Sequence, residues 1–343
     1  MKKIFAGLSV VVLIGGGIGS WFYYNFTIAS ATNFEKEYTD IYIAKEASFE
    51  DVVKIIESKK VVNKIGAFKR VSKLKKYPAL IKGGKYRIKK GATYEGIVNK
   101  LRSGDQIPVK LTFNNVRLLE ELAGKVASHL EVDSTTVLKH LKDNDFLSQY
   151  GVDSKSSMIL FIPNTYEVWW NMSIKQLFDR MAREFKNFWN IDRKKQAKAL
   201  GLSQSDVYTL ASIVQAEQGM KPQEWPDIAG LYLNRLKKGM KLESDPTLIF
   251  AKKDFTIRRV LNADKKIESP YNTYKYRGLP PGMIRLPDPR AMDAILNHKK
   301  HDYIFMCAKG DGSGFHRFAK TYKEHKKNAR KYHQDLNAKG IYR

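Results

Sequence analysis

The chain has 343 residues, enough for one large or two modest domains with a substantial core. Its formal net charge of +26 indicates an anionic partner, such as nucleic acid, a lipid surface or an acidic polymer. The single cysteine, Cys307, excludes intramolecular disulfides and cysteine-rich metal centres, and the histidines show no metal-ligand spacing. We therefore predict neither a metal nor a cofactor.

An uncharged apolar run follows Lys2 and Lys3 and predicts a transmembrane helix over residues 4–24. The two lysines place residues 1–3 in the cytoplasm, so the rest of a single-pass inner-membrane protein lies on the periplasmic, or extracytoplasmic, side. Export argues against nucleic acid as a partner and favours inner-membrane lipid. The alternative is a signal peptide cleaved at the small residues Ala29-Ser30-Ala31.

A polar linker is predicted over residues 25–40. The next pattern is a strand at Ile41–Ala44, a helix after Ser48, a helix over Val61–Leu74 and a strand at Lys85–Ile88. This order predicts a small strand–helix–helix–strand module.

The module is partly repeated by a helix that Thr93 caps and by a strand at Val109–Phe113, which makes residues 41–113 one predicted subdomain. Such a module either binds glycan or protein in a surface groove or only spaces the remainder of the chain from the membrane.

Residues 114–200 predict a connecting helical region with one aromatic segment, FIPNTYEVWW at Phe161–Trp170. Aromatic rings beside polar groups suit sugars, whose C–H faces stack on rings while amides and carboxylates bond hydroxyls. We predict that Tyr166 contacts such a ligand. A buried core strand is the alternative for Trp169 and Trp170.

The segment LASIVQAEQ, Leu210–Gln218, predicts a helix with one apolar stripe. Ser203 and Asp206 form the pattern of a capping box at its start. Glu217 lies at the edge of the stripe, where loss of water raises a carboxyl pKa and retains the proton that glycosidic cleavage needs. The alternative is a helix-end glutamate paired with a basic group. The stripe consists of Val207, Leu210, Ala211 and Val214.

A further helix begins near Pro226 and carries Arg235 on its apolar face, beside Asn234. A charge on that face predicts a carboxylate partner or a polar cleft, unless the side chain extends to solvent. Asp245 in LESDPT is the nearest second carboxylate, or else only a turn residue before proline.

The loop SPYNTYKYRGLPPG, Ser269–Gly282, is dense in Pro, Gly, Tyr and Asn, as ordered functional loops often are. We predict that Tyr271, Asn272 and Tyr274 orient a sugar there. The alternative is a turn with structural prolines.

The order of these motifs resembles the endolytic murein transglycosylase family, membrane-anchored bacterial enzymes with a LysM-like subdomain before the catalytic domain. The resemblance implies an α+β fold, in which residues 41–113 are the LysM-like subdomain and residues 201–343 the catalytic domain. It rests on the N-terminal anchor and on GKYRI, FIPNTYEVWW, LASIVQAEQ, LYLNRLKKGMKLESDPTLIF, SPYNTYKYRGLPPGMI and GFHRF.

Two motifs depart from the family pattern. ASIVEKET reads ASIVQAEQ here, so Gln215 replaces the first acid and the catalytic role falls on Glu217 alone. The family's PDTY motif has Asn164 in place of its acid, and we assign no catalytic role to that residue. The substrate-binding candidates remain Tyr166, Asn234, Arg235, Asp245, Tyr271, Asn272 and Tyr274.

The resemblance implies cleavage of the β-1,4 bond between N-acetylmuramic acid and N-acetylglucosamine in nascent strands, which leaves 1,6-anhydro ends and terminates elongation. Glu217 protonates the leaving oxygen and then deprotonates the muramyl 6-hydroxyl. This intramolecular attack has an effective molarity of about 10⁵ M or more and needs no second carboxylate. A muramidase-type hydrolase using Glu217 with Asp245 and a non-catalytic cell-wall scaffold are the alternatives. The expected partners are glycan strands, inner-membrane lipid and penicillin-binding proteins.

Overall fold

The structure, a computed structural model, describes residues 29–339 together with Ser20, Tyr24 and Thr27. The predicted membrane anchor over residues 4–24 lies outside the described residues, apart from Ser20 and Tyr24. In the part of the chain that is described, no helix has both the length and the apolar character needed to cross a bilayer.

The described chain forms two compact units, each assembled from segments that are separate in the sequence. Unit 1 contains the described residues up to Leu111, together with Val126–Asp133 and Tyr166–Ser173. Unit 2 contains Thr112–Lys125, Ser134–Thr165 and the chain from Ile174 onward.

Unit 1 begins with the predicted strand–helix–helix–strand order. Strand β1 (Tyr38–Ile43) pairs antiparallel with β2 (Gly84–Lys89), and helices α1 (Phe49–Ser58) and α2 (Ile65–Leu74) lie between them in sequence. Alternate residues of β2 are buried, which matches the period of a half-buried strand. Helix α3 (Tyr94–Ser103) follows and packs in the same hydrophobic cluster.

The predicted start of α2 at Val61 is wrong by one turn. Lys60 adopts a left-handed φ of 50°, and Val62 then forms an isolated bridge with Thr32. Val61 and Val62 are buried in extended chain. The helix was predicted too early because a short apolar run is compatible with a strand and with a helix.

The remaining elements give an α+β fold with three two-stranded sheets in the described residues. Strands β3 and β4 pair with each other, and β5 pairs antiparallel with β6. In chain order, the helices and strands that follow α3 are β3 (Val109–Thr112), α4 (Leu119–Ala127), α5 (Ser134–Lys142), α6 (Asn144–Ser148), β4 (Thr165–Val168), α7 (Ile174–Phe188), α8 (Ile191–Ala199), α9 (Gln204–Glu217), α10 (Trp225–Lys237), α11 (Asp245–Lys252), α12 (Pro289–Leu296), β5 (Phe305–Ala308), β6 (His316–Ala319) and α13 (Tyr322–Asn337).

Helix α9 is the centre of unit 2 and is buried all round, so the prediction of a single apolar stripe is wrong. Every residue from 207 to 214 is buried, because α8, α10, α11 and α12 pack around the helix. Its polar side chains are hydrogen-bonded: Thr209 donates to Ser205 O at 2.9 Å and Ser212 to Thr209 O at 2.7 Å. The predicted capping box of Ser203 is present. The packing and these contacts hold in place the helix that carries Glu217.

Candidate active site

Glu217 is the last residue of α9, and its side chain lines a cavity of about 380 Å³ within unit 2. The walls come from α9, α10, the segment before α11, the Ser269–Gly282 loop, both strands of the β5–β6 pair and α13. The residues that line the cavity are Glu217, Leu231, Tyr232, Arg235, Leu242, Glu243, Asp245, Tyr274, Ile304, Phe305, Met306, Cys307, Ala308, His316, Tyr322 and His325.

Two hydroxyl groups hold one oxygen of Glu217. The Tyr232 hydroxyl donates to Glu217 Oε1 at 2.9 Å, and the Ser244 hydroxyl donates to the same oxygen. Burial raises the pKa of Tyr232 well above its usual range, so this phenol stays a donor at neutral pH. The other carboxyl oxygen has neither of these bonds.

The pKa of Glu217 is raised, chiefly because burial removes water from its carboxylate. The charge of Asp245 raises it further, whereas the Ser244 and Tyr232 hydrogen bonds and the charge of His316 lower it. The position at the C-terminal end of α9 also favours the neutral form, because the helix dipole is negative there. The net shift favours the protonated form of Glu217, which is the form that a general acid requires.

Ser244 reaches Glu217 because the chain before α11 is anchored on one threonine. Glu243 adopts a left-handed φ of 54°, and its N–H donates to Thr273 O at 3.1 Å. The Ser244 N–H donates to Thr273 Oγ1 at 3.0 Å. Ser244 stands at the N-cap position of α11, yet its hydroxyl makes no cap bond. The local sequence does not predict this contact, since serine before Asp-Pro resembles an ordinary helix cap.

Asp245 and Tyr274 meet at the cavity wall, where the Tyr274 hydroxyl donates to Asp245 Oδ1 at 2.6 Å. Burial is the main cause of the raised pKa of Tyr274, and the hydrogen bond to Asp245 raises it further. Asn272 shapes the loop beneath: its Oδ1 accepts from the backbone N–H of Tyr274 at 3.0 Å, and its side chain is fully buried. Asn272 thus positions Tyr274 and does not line the cavity.

Arg235 lines the cavity but directs its donors to the protein. Its Nε donates to Ile304 O at 2.7 Å, and Nη1 to Leu242 O at 2.8 Å. Both terminal nitrogens also lie 3.1 Å from Glu243 Oε2. The carboxylate partner predicted for this charge is therefore Glu243.

Three other candidates lie outside the cavity lining. Asn234 donates to His301 O at 2.7 Å and to Tyr303 O at 3.1 Å, which holds the chain before β5. Tyr271 packs on another ring, and Tyr166 is buried in β4 within unit 1.

Gln215 accepts from the Asp288 N–H at 2.8 Å. It therefore fixes the chain before α12.

Comparisons with known proteins agree with this architecture. The family model described as the YceG-like family matches residues 41–331. A Bacillus subtilis (strain 168) protein named endolytic murein transglycosylase is 28% identical, with 94% of this chain and 92% of that protein covered. A protein of the same name from Streptococcus pneumoniae serotype 2 (strain D39 / NCTC 7466) is 26% identical, with 84% and 58% covered.

A solved structure is also similar to this chain. The crystal structure of a putative YceG-like protein from Listeria monocytogenes is 27% identical, has a TM-score of 0.56, and covers 85% of this chain and 99% of that one. The family match extends over most of the described residues, and by it the chain belongs to the YceG-like family.

Proposed function

We propose that this protein is an endolytic murein transglycosylase that cleaves within peptidoglycan glycan strands and leaves 1,6-anhydromuramyl ends. The observation that carries the proposal is Glu217, a desolvated carboxyl group whose pKa is raised, in the wall of an open cavity. A relative that covers 94% of this chain bears the corresponding name.

The proposed reaction uses Glu217 twice. Its proton passes to the glycosidic oxygen as the bond to the anomeric carbon breaks. The resulting carboxylate takes the proton of the muramyl 6-hydroxyl, whose oxygen bonds to the anomeric carbon. The hydroxyls of Tyr232 and Ser244 stabilise the carboxylate between these two steps.

A muramidase-type hydrolase is the second candidate, and the position of Asp245 favours it. This carboxylate lines the same cavity as Glu217 and interacts with it electrostatically. In a hydrolase, Asp245 acts on water or on the anomeric carbon, and the new glycan end gains a water.

The chemical nature of the cleaved end distinguishes the two reactions. Purified sacculi are digested, and the fragment ends are identified by mass spectrometry. We expect anhydro ends, and Asp245→Asn should still produce them. Ends that have gained water, with loss of cleavage in Asp245→Asn, would establish the hydrolase instead.

Glu217→Gln removes the transferable proton with little change of shape. We expect cleavage to fall roughly 10²- to 10⁴-fold, as for loss of a general acid. Glu268→Gln is the control, because it neutralises an exposed carboxylate of the same unit. Unchanged cleavage by Glu217→Gln would remove this residue from the mechanism, and inactive wild-type protein would favour a non-catalytic scaffold.

We also propose that residues 4–24 remain as an inner-membrane anchor, with units 1 and 2 on the extracytoplasmic side. Ala31 supports retention over cleavage at Ala29-Ser30-Ala31: it is fully buried, its N–H donates to Ala92 O at 2.9 Å, and its carbonyl accepts from Asn63 N at 2.7 Å. Removal of Ala31 would break these contacts. N-terminal sequencing of protein from cells tests the proposal, because a mature chain starting at residue 32 contradicts it.

The strand–helix–helix–strand order of unit 1 supports a LysM-like role for residues 41–113. We propose that this part of the chain binds glycan strands. We propose also that the whole protein binds penicillin-binding proteins. Pull-down of purified glycan by residues Ala29–Arg343, carrying the substitution Glu217→Gln to prevent cleavage, measures glycan binding by the two units together.

A further inference from the structure

One histidine of the cavity is held in place by a buried network. His316 begins β6, and its backbone N–H donates to Glu224 Oε1 at 2.8 Å while its ring Nδ1 lies 2.8 Å from Glu224 Oε2. The side chain of Gln218 donates to the same Glu224 Oε2 at 2.7 Å. Glu224 is only 6% exposed and Gln218 only 3%, so this carboxylate is enclosed by donors.

The network joins the histidine to the candidate acid. Gln218 directly follows Glu217, and its amide also donates to Gly314 O at 2.9 Å, two residues before His316. The backbone N–H groups of Met220 and Lys221 donate to Gln218 Oε1. The position of His316 is therefore set from the same helix end that places Glu217.

The two ring nitrogens of His316 have different environments. A carboxylate only accepts hydrogen bonds, so Nδ1 carries the hydrogen that points to Glu224. Nε2 takes no hydrogen bond from the described part of the chain, and the residue lines the cavity beside Glu217. Nε2 accepts from a hydroxyl group when the ring is neutral and donates to one when the ring is charged.

We propose that His316 is a substrate-binding residue whose Nε2 forms a hydrogen bond with a hydroxyl group of the glycan. This inference rests on the proposed function and adds a specific contact to it. Glu224 and Gln218 are positioning residues, which act by fixing the tautomer and the direction of the ring. A role confined to stabilising the β5–β6 pair would need Nδ1 but not Nε2.

Three substitutions at His316 separate the two ring nitrogens. His316→Asn places an amide nitrogen near Nδ1 and removes Nε2, so we expect KM for linear uncrosslinked glycan strands to rise roughly tenfold, with kcat nearly unchanged. The melting temperature should stay close to that of wild type. His316→Gln restores a polar group near Nε2 and should have a lower KM than His316→Ala.

The matched control is His301→Asn. His301 is a histidine of the same unit whose two ring nitrogens both contact backbone atoms, at Asp227 O and Tyr303 N. It lies outside the cavity lining, so we expect a lower melting temperature and an unchanged KM. Glu224→Gln should raise KM in wild type but not in the His316→Asn background, because the ring through which it acts is then absent.

The outcomes distinguish failure of this inference from failure of the proposed function. If wild type cleaves glycan and His316→Asn has the wild-type KM, His316 does not bind substrate through Nε2. If KM rises equally in His316→Asn and His301→Asn, the effect comes from the fold and the inference is overturned. If wild type does not cleave glycan at all, the proposed function has failed first.

Discussion

At the scale of single residues, the chemistry of Glu217 depends on neighbours that act in opposite directions. Burial and the charge of Asp245 raise its pKa, and the hydroxyls of Ser244 and Tyr232 lower it. Each of these neighbours can be removed by a substitution that is nearly isosteric. The direction in which each substitution shifts the pH dependence of catalysis follows from which protonation state of Glu217 is active.

Ser244→Ala and Asp245→Asn should shift the pH profile in opposite directions. A general acid acts in its protonated form, so kcat/KM falls as the pH rises through its pKa. Loss of the Ser244 hydroxyl destabilises the Glu217 carboxylate, raises its pKa and moves this decline to higher pH. Loss of the Asp245 charge lowers the Glu217 pKa and moves the decline to lower pH.

The measurement is kcat/KM for linear glycan strands between about pH 4 and pH 9. Glu268→Gln again serves as control, because an exposed carboxylate should leave the profile where it is. A shift of both variants in the same direction would mean that Glu217 is not the group whose protonation limits the reaction.

At the scale of elements, one glycine shows how closely α10 packs on its neighbours. A Cβ at Gly230 would lie 2.4 Å from Lys299 O and 2.9 Å from His301 Nε2. Replacement of glycine by alanine inside a helix ordinarily stabilises by about 0.5–1 kcal/mol. Here the backbone carbonyl cannot move without displacing the chain that leads to β5.

We therefore expect Gly230→Ala to destabilise unit 2 by about 1–3 kcal/mol, the usual range for overpacking. Gly124→Ala is the matched control, since it lies inside α4 of the same unit with no atom within 4 Å of the new Cβ, and it should stabilise. Urea denaturation measures both changes. If Gly230→Ala is as stable as wild type, α10 does not approach Lys299 and His301 as closely as described here.

The capping box of α9 gives a second prediction at this scale. Ser203→Ala removes the acceptor for the Asp206 N–H, which lies 3.1 Å from Ser203 Oγ, and should cost about 1 kcal/mol of unfolding free energy. Gln204→Ala, one residue later, keeps the cap and serves as control. Glycan cleavage below the unfolding temperature should be equal in both variants, because the cap lies at the opposite end of α9 from Glu217.

At the scale of the whole molecule, the net charge of +26 and the proposed anchor predict two separate modes of membrane association. Attraction of lysines to anionic lipid is screened by salt, whereas an apolar helix in the bilayer is not. Deletion of residues 1–28 leaves Ala31 and its backbone bonds in place.

We expect the full chain to float with anionic vesicles in 1 M salt, and the chain that lacks residues 1–28 to separate from them. Both forms should cleave purified glycan at similar rates. The anchor proposal fails if the shortened chain stays on vesicles at high salt, or if the full chain is washed off.

The sequence predicted features correctly where they depend only on residues that are close together in the chain. The caps at Ser48, Thr93 and Ser203 are present, because each needs only a hydroxyl and a backbone N–H three residues away. The boundary of α2 was misplaced, since Val61 and Val62 have the apolar pattern of a helix but the backbone of a strand.

In the candidate site, too, the sequence predicted some features correctly and not others. LASIVQAEQ predicted Glu217 at a helix end with a raised pKa, and the structure has that arrangement. Asn272 was predicted to orient a sugar, but its buried amide holds the loop that presents Tyr274. Composition marks a loop as polar and ordered, but it does not distinguish a side chain facing inward from one facing the cavity.

By itself, the sequence determined the α+β class, the position of the acid on α9 and the family, because caps, periodicity and ordered motifs are properties of neighbouring residues. Only the tertiary structure decided which groups surround that acid. Ser244 lies 27 residues from Glu217, and His316 lies 92 residues from Glu224. Such pairs form because helices and strands of unit 2 pack around α9, and no pattern of adjacent residues encodes that packing.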